Sequence, residues 1–146
     1  MRWMTIGAVM FVLGAVVTVS AGQTRTIDRA FAEYDRVYAA LTKDSLEGIA
    51  QAATALEPLA TEVSGAAAGT AAAALAKAAD LTEARERFAA VSEALVPKFL
   101  DAKIPGLVGF VCTMKNAKWV QRGETVSNPY FGTEMPTCGV PIKSGG

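Results

Sequence analysis

The sequence predicts a mainly α protein, an up-down antiparallel bundle of about four helices with a small C-terminal β-hairpin and loop module docked on it. Three observations predict this class. Apolar residues recur at three- and four-residue steps between about residues 26 and 96. The links between these stretches are short, as between antiparallel neighbours. Alanine, which supplies 28 residues, nearly vanishes after Pro105-Gly106, where β-branched and aromatic residues take over.

Residues 1–21 predict a secretory signal peptide. Arg2 gives a positive start, and the uncharged run Thr5–Val19 is short against the roughly 20 residues that span a bilayer. Small residues at Val19-Ser20-Ala21 favour cleavage after Ala21. We therefore expect a periplasmic or secreted protein without a membrane segment. The alternative is an uncleaved N-terminal anchor, because the stretch Trp3–Ala21 is nearly long enough to span.

Residues 22–104 form the alanine-rich helical part. The first helix is predicted to begin at Thr26 as its cap. Asp44, followed three residues later by Glu47, has the pattern of a capping box and predicts the start of the second helix. Pro58 should kink or divide that helix, because proline removes a backbone donor and its ring crowds the preceding turn.

The third and fourth helices complete the predicted bundle. The third should run from Thr70 to Asp80, with Gly65 and Gly69 in the turn before it. The fourth should begin with Thr82 as cap, and Pro97 should disturb its last turn. Its charged residues are predicted to form a solvated face: Arg85, Glu86, Arg87 and Glu93.

Residues 105–146 predict a β-and-loop tail. "GLVGFVCTM" and "AKWVQRG" have the composition of two paired strands with Lys115-Asn116 at their turn. "SNPYFG" and "MPTCG" are rich in turn residues. A tail this short has no core of its own, so it should dock on the bundle through Trp119, Tyr130 and Phe131. The whole chain is then one domain.

Composition excludes several function classes. The formal net charge is zero, so the chain lacks the basic surface of a nucleic-acid-binding protein. It contains no histidine, which excludes a Ser-His-Asp triad, a Cys-His pair and a histidine zinc site. No glycine-rich phosphate loop follows a strand. We therefore predict that the protein is not an enzyme.

Four sulfur residues in the tail suggest a soft-metal site. On an extended strand Cys112 and Met114 would share a face, because side chains alternate. A turn at Pro136 would bring Met135 and Cys138 together. Thiolate and thioether ligands favour Cu(I), with Ag(I) or another soft ion as alternatives.

A disulfide between Cys112 and Cys138 is the competing interpretation. Two cysteines in a secreted domain most often pair. The bridge would close a loop of 27 residues, counting both cysteines, which the chain-entropy model values at about 3.5 kcal/mol. In that case Met114 and Met135 are packing residues.

The stretch Phe110–Gly139 resembles the tail of a bacterial extracytoplasmic family catalogued as a domain of unknown function. That family occurs alone or fused to periplasmic adaptor subunits of copper/silver and other heavy-metal efflux pumps. The matching residues are Cys112, Met114, Trp119, Asn128, Pro129, Tyr130, Phe131, Gly132, Met135, Cys138 and Gly139. Thr113 departs from the family, which has proline there, and Lys115 and Asn116 stand where it tends to be small and apolar.

The resemblance implies a periplasmic metal-binding protein that buffers or transfers Cu(I), with an efflux adaptor or another envelope protein as a partner. Cys112 and Cys138 would supply thiolates, and Met114 and Met135 thioethers. The segment Asn128–Gly132 would be scaffold, with Gly132 at a positive φ. The alternative is a disulfide-stabilised helical interaction module that binds no metal. A dithiol that binds metal when reduced and pairs when oxidised satisfies both.

Overall fold

The computed structural model of the protein describes residues 21–143, so the predicted signal peptide lies outside the described residues except for Ala21. Within this range four helices are followed by three short strands. A mainly α fold with a small antiparallel β module is thereby confirmed. None of the described helices is long and apolar enough to cross a membrane. The elements are α1 Ala21–Leu41, α2 Ile49–Ser64, α3 Ala66–Leu75, α4 Leu81–Asp101, β1 Leu107–Cys112, β2 Ala117–Arg122 and β3 Val140–Pro141.

Helix α1 buries one apolar stripe against the rest of the bundle. Phe31, Tyr34 and Leu41 are almost fully buried, as their helical spacing predicts. Thr26 is not the cap, because the helix already includes the five residues before it. Instead the Thr26 hydroxyl donates to the carboxylate of Glu62 in α2, at 2.9 Å. This hydrogen bond ties the two helices together.

Helix α2 begins later than the sequence predicts, at Ile49 after Gly48. The capping box at Asp44 and Glu47 is wrong, because the Asp44 carboxylate is bonded to Arg85 and Thr133 instead. The predicted division at Pro58 is also wrong, because the helix continues to Ser64. Pro58 lies on the exposed side, where water can bind the carbonyl that proline leaves free. The buried face of α2 packs against α1 and α3 and keeps the helix continuous.

Helix α3 starts directly after Gly65 and ends at Leu75, five residues earlier than predicted. Gly69 is inside this helix, whereas the sequence placed it in the preceding turn. A Cβ at Gly69 would overlap the Thr61 side chain of α2. The two helices therefore approach closely because Gly69 has no side chain.

Helix α4 begins with Asp80 as its cap, and the prediction of Thr82 is wrong. The Asp80 side chain accepts a hydrogen bond from the Glu83 amide at 2.8 Å. The Glu83 carboxylate in turn accepts one from the Ala79 amide at 2.7 Å. This reciprocal pair satisfies amides at the helix start. Pro97 does not end the helix, which continues to Asp101.

The predicted hairpin is confirmed, with β1 and β2 antiparallel and Cys112 opposite Ala117. The turn between them spans residues 113–116, and Asn116 takes a positive φ of 49° there. The short strand β3 was not predicted. It pairs with β1 through Val140 opposite Val111, which makes β1 the central strand.

The sheet docks on α4, with Trp119 fully buried and stacked on Phe110. Two tyrosine hydroxyls cover the outer edge of β2. The amide of Val120 donates to the Tyr34 hydroxyl at 3.4 Å. The Tyr130 hydroxyl donates to the Lys118 carbonyl at 2.5 Å. The outer edge of β2 is thus hydrogen-bonded to side chains from α1 and from the tail. These hydrogen bonds protect the edge from pairing with another chain.

Candidate dithiol site

The structure brings the two cysteines of the chain together although they lie 26 positions apart. Cys112 is the last residue of β1 and is fully buried, and Cys138 lies in the loop before β3 and is partly exposed. Their Sγ atoms are 3.9 Å apart. A disulfide needs about 2.05 Å. Two thiolates that bind one ion at about 2.3 Å each would subtend an angle of about 116° at this separation.

The two methionines of the predicted site are placed differently. The turn predicted at Pro136 is present, because the Cys138 amide donates to the Met135 carbonyl at 3.4 Å. Met135 is partly buried. Strand β1, in contrast, ends at Cys112, so the prediction that Cys112 and Met114 share a strand face is wrong. Met114 lies in the hairpin turn with 64% of its surface exposed.

The surroundings of Cys138 favour its protonated thiol over the thiolate. Partial desolvation and the neighbouring Cys112 thiol raise the pKa of Cys138 above its ordinary value. A soft metal binds the thiolate and not the thiol, so an ion bound here must displace a proton.

The loop Asn128–Gly132 is built around the fully buried Asn128. Its side-chain oxygen accepts from the Tyr130 amide at 2.7 Å, the hydrogen bond of an Asx turn. Its side-chain nitrogen donates to the Cys138 carbonyl at 2.5 Å. Gly132 has a φ of 56°, as the sequence predicts. The loop therefore contacts the candidate site through Asn128.

Tyr130 fixes this loop to the bundle and the sheet. Its ring packs against Phe88 of α4 at a centroid distance of 5.9 Å and meets Trp119 edge-on at 6.1 Å. Burial raises the pKa of Tyr130 well above its ordinary range, so the hydroxyl stays protonated and can donate to the Lys118 carbonyl. The predicted docking of the tail through Trp119 and Tyr130 is confirmed, and Phe131 is partly buried against the same core.

An ion pair between Asp44 and Arg85 holds the loop from the other side. The two side chains are 2.5 Å apart, and Arg85 also donates to the Pro129 carbonyl at 3.0 Å. The Thr133 hydroxyl and amide both donate to Asp44. The prediction that Arg85 belongs to a solvated face is wrong, because its side chain is 19% exposed. Arg87 likewise bonds the Ala74 carbonyl and Glu83, whereas Glu86 and Glu93 are exposed as predicted.

Gln121 is a buried polar residue that sequence reasoning missed. Its side-chain oxygen accepts from the Trp119 indole at 3.0 Å and from the Ser127 amide at 3.1 Å. Its nitrogen donates to the Thr125 carbonyl at 2.7 Å. The available signal was the strand alternation, which places Gln121 on the same face as Trp119. Gln121 orders the segment between β2 and Asn128.

Comparisons with protein-family models, curated proteins and solved structures returned no match. The resemblance of the tail to the extracytoplasmic family therefore remains a hypothesis based on the motif residues. Within the part of the chain that the structure describes, no three His, Cys, Asp or Glu side chains gather into a metal-binding group. A metal site at Cys112 and Cys138 would therefore depend on the thiols and on methionine sulfur.

Proposed function

We propose that this protein is an extracytoplasmic soft-metal-binding protein whose reduced Cys112–Cys138 pair binds one Cu(I) ion. The observation that supports the proposal best is the 3.9 Å separation of two thiols from distant segments of the chain. The chain has no histidine, so no imidazole competes for the ion. Thiolate and thioether donors prefer Cu(I) and Ag(I) to hard cations.

Met135 is the third ligand that we propose. It precedes Cys138 by three residues in the same turn and is partly buried. Its thioether would complete a three-sulfur site around a soft ion. Met114 would take part only if the exposed hairpin turn folded back over the pair.

The cellular role that we propose is metal buffering or transfer without catalysis. The N-terminal segment would direct the chain to the periplasm and be removed after Ala21. The resemblance of the tail suggests an efflux adaptor or another envelope protein as the partner that receives the ion. We also propose the up-down order for the four helices, since consecutive helices are in contact.

A Cu(I) titration of the reduced protein against a competing chelator tests this function. We expect one ion per chain, with binding lost in Cys112→Ser and Cys138→Ser and weakened in Met135→Leu. Met114→Leu is the matched control and should bind like the wild type. If the fully reduced protein does not compete for Cu(I), the proposal is refuted. Equal losses in the two methionine variants would refute the assignment of Met135.

The second candidate function is a disulfide-stabilised interaction module without metal. The 3.9 Å separation of the two Sγ atoms also favours it, because a small movement of the Cys138 loop would bring the thiols to bonding distance. In this case protein taken from the periplasm should contain no free thiol. Reduction should then lower the free energy of unfolding by about 3.5 kcal/mol. Two free thiols in the isolated protein would contradict this alternative.

A further inference from the structure

Cys112 and Cys138 are fixed in place by different means. Cys112 is the last residue of the central strand β1 and is held by its pairing with Ala117 of β2. Cys138 lies in a loop outside regular structure, 16 positions after the end of β2. A site made from the two thiols therefore needs a group that holds the backbone of Cys138.

Asn128 is that group, because its hydrogen bonds join the loop of Cys138 to the loop Asn128–Gly132. The side-chain nitrogen donates to the Cys138 carbonyl, and the backbone amide donates to the Pro136 carbonyl at 2.8 Å. The side-chain oxygen and the backbone carbonyl accept from the amides of Tyr130 and Gly132. Asn128 thus holds the Cys138 loop at two points and its own loop at two others.

The loop of Asn128 is itself anchored to the rigid part of the molecule. Tyr130 is packed on α4 and bonded to β2, and Arg85 of α4 bonds the Pro129 carbonyl. On the other side of Cys138, a Cβ at Gly139 would overlap the ring of Trp119. The Gly139 backbone therefore packs directly against this ring. The Cys138 backbone is thereby held between Asn128 and Trp119, with its thiol beside Cys112.

The required chemistry explains why asparagine stands at this position. The buried side chain must donate at one end and accept at the other. Aspartate would accept from Tyr130 but could not donate to Cys138. Serine could keep the turn through its hydroxyl but is too short to bond both groups.

We propose that Asn128 is a positioning residue that sets the separation of the Cys112 and Cys138 thiols and so tunes their affinity for a soft metal and for each other. The metal part of this inference rests on the proposed function. The thiol part does not, because the tendency of two thiols to form a disulfide depends on their geometry whether or not a metal is bound. Outer groups that orient metal ligands typically change affinity by about 10- to 100-fold.

The test compares Asn128→Ser and Asn128→Asp with the wild type in a glutathione redox buffer. In this exchange glutathione disulfide takes two electrons from the two thiols, which become the protein disulfide, and two molecules of reduced glutathione are released. We expect both variants to lower this equilibrium constant, and the Cu(I) affinity, by about 10- to 100-fold. Leu56→Ala removes a fully buried side chain of α2 from the hydrophobic core and is the control for a loss of stability alone. It should leave the thiol–disulfide equilibrium constant and the Cu(I) affinity unchanged.

The outcomes separate the two proposals. If the wild type does not bind Cu(I) but the Asn128 variants still shift the thiol equilibrium, the metal function fails and the positioning role stands. If both variants match the wild type in the thiol equilibrium, the positioning role is refuted. If Leu56→Ala folds and neither Asn128 variant does, Asn128 maintains the fold and not the pair, which also overturns the proposal.

Discussion

At the scale of single residues, Gly132 meets two requirements at once. Its φ of 56° lies in the left-handed region, and a Cβ there would overlap the Asp44 carboxylate and the Arg85 guanidinium. Gly106 also has a positive φ, of 74°, but has open space around it. A comparison of substitutions at these two glycines therefore distinguishes the cost of backbone strain from the cost of steric overlap.

Substitution of Gly132 should cost more stability than substitution of Gly106. We expect Gly132→Ala to lower the free energy of unfolding by about 2–4 kcal/mol and Gly106→Ala by about 1–2 kcal/mol. Urea denaturation of both variants measures the difference. Equal losses would mean that the ion pair moves aside freely and does not hold the loop.

The Asp44 carboxylate should make stability depend on pH at the acidic end. Hydrogen bonds from Thr133 and Arg85 lower the pKa of Asp44 below its ordinary value. The stabilisation is therefore complete above the unfolded pKa of about 3.9 and is lost as the pH falls through the lower folded value. Asp44→Asn keeps a residue that tolerates the left-handed φ of 55° at this position.

We expect the wild type to be more stable than Asp44→Asn at neutral pH, with the gap shrinking below about pH 4. Urea unfolding of both proteins between about pH 7 and about pH 3 measures this gap. A gap of constant size over the whole range would show that the charge of Asp44 does not stabilise the fold.

At the scale of elements, two stretches of the same form behave differently. "DSLE" at Asp44–Glu47 and "DLTE" at Asp80–Glu83 both match a capping box, but only the second caps a helix within the described chain. The first aspartate is instead bonded to Arg85, 41 positions away. The capping box at Asp44 therefore does not form, because Asp44 makes an ion pair with Arg85. The residues around Asp44 in the sequence give no sign of this long-range partner.

Removal of the Asp80 side chain should destabilise α4. We expect Asp80→Ala to lower the free energy of unfolding by about 0.5–2 kcal/mol, because the Glu83 amide loses its acceptor. Thr82→Ala is the control and should change it by less than about 0.5 kcal/mol, since Thr82 is exposed on the first turn. A larger loss of unfolding free energy in Thr82→Ala than in Asp80→Ala, measured by urea denaturation, would indicate that Thr82 is the cap.

At the scale of the whole molecule, the sequence patterns predicted the structural features that depend on residues close together in the chain. Apolar spacing located the helices, and β-branched and aromatic composition located the hairpin. The turn at Pro136 and the positive φ of Gly132 followed from turn chemistry. These features are local, so the sequence specifies them directly.

The features that were missed depend on tertiary contacts. Pro58 and Pro97 lie inside continuous helices because packing of the buried faces outweighs the lost hydrogen bonds. The partnership of Asn128 with the Cys138 carbonyl crosses two loops without regular structure. Met114 was assigned to a strand face on the assumption that β1 continued past Cys112, whereas the hairpin turn begins there.

The central claim is that the two thiols bind one soft metal ion together. X-ray absorption at the copper edge of the reduced protein with one equivalent of Cu(I) tests this most directly, because it identifies the atoms bound to the metal. We predict a shell of two or three sulfur atoms at about 2.3 Å, lost in the Cys112→Ser variant. A shell of oxygen or nitrogen atoms, or a sulfur shell that survives in Cys112→Ser, would contradict the claim.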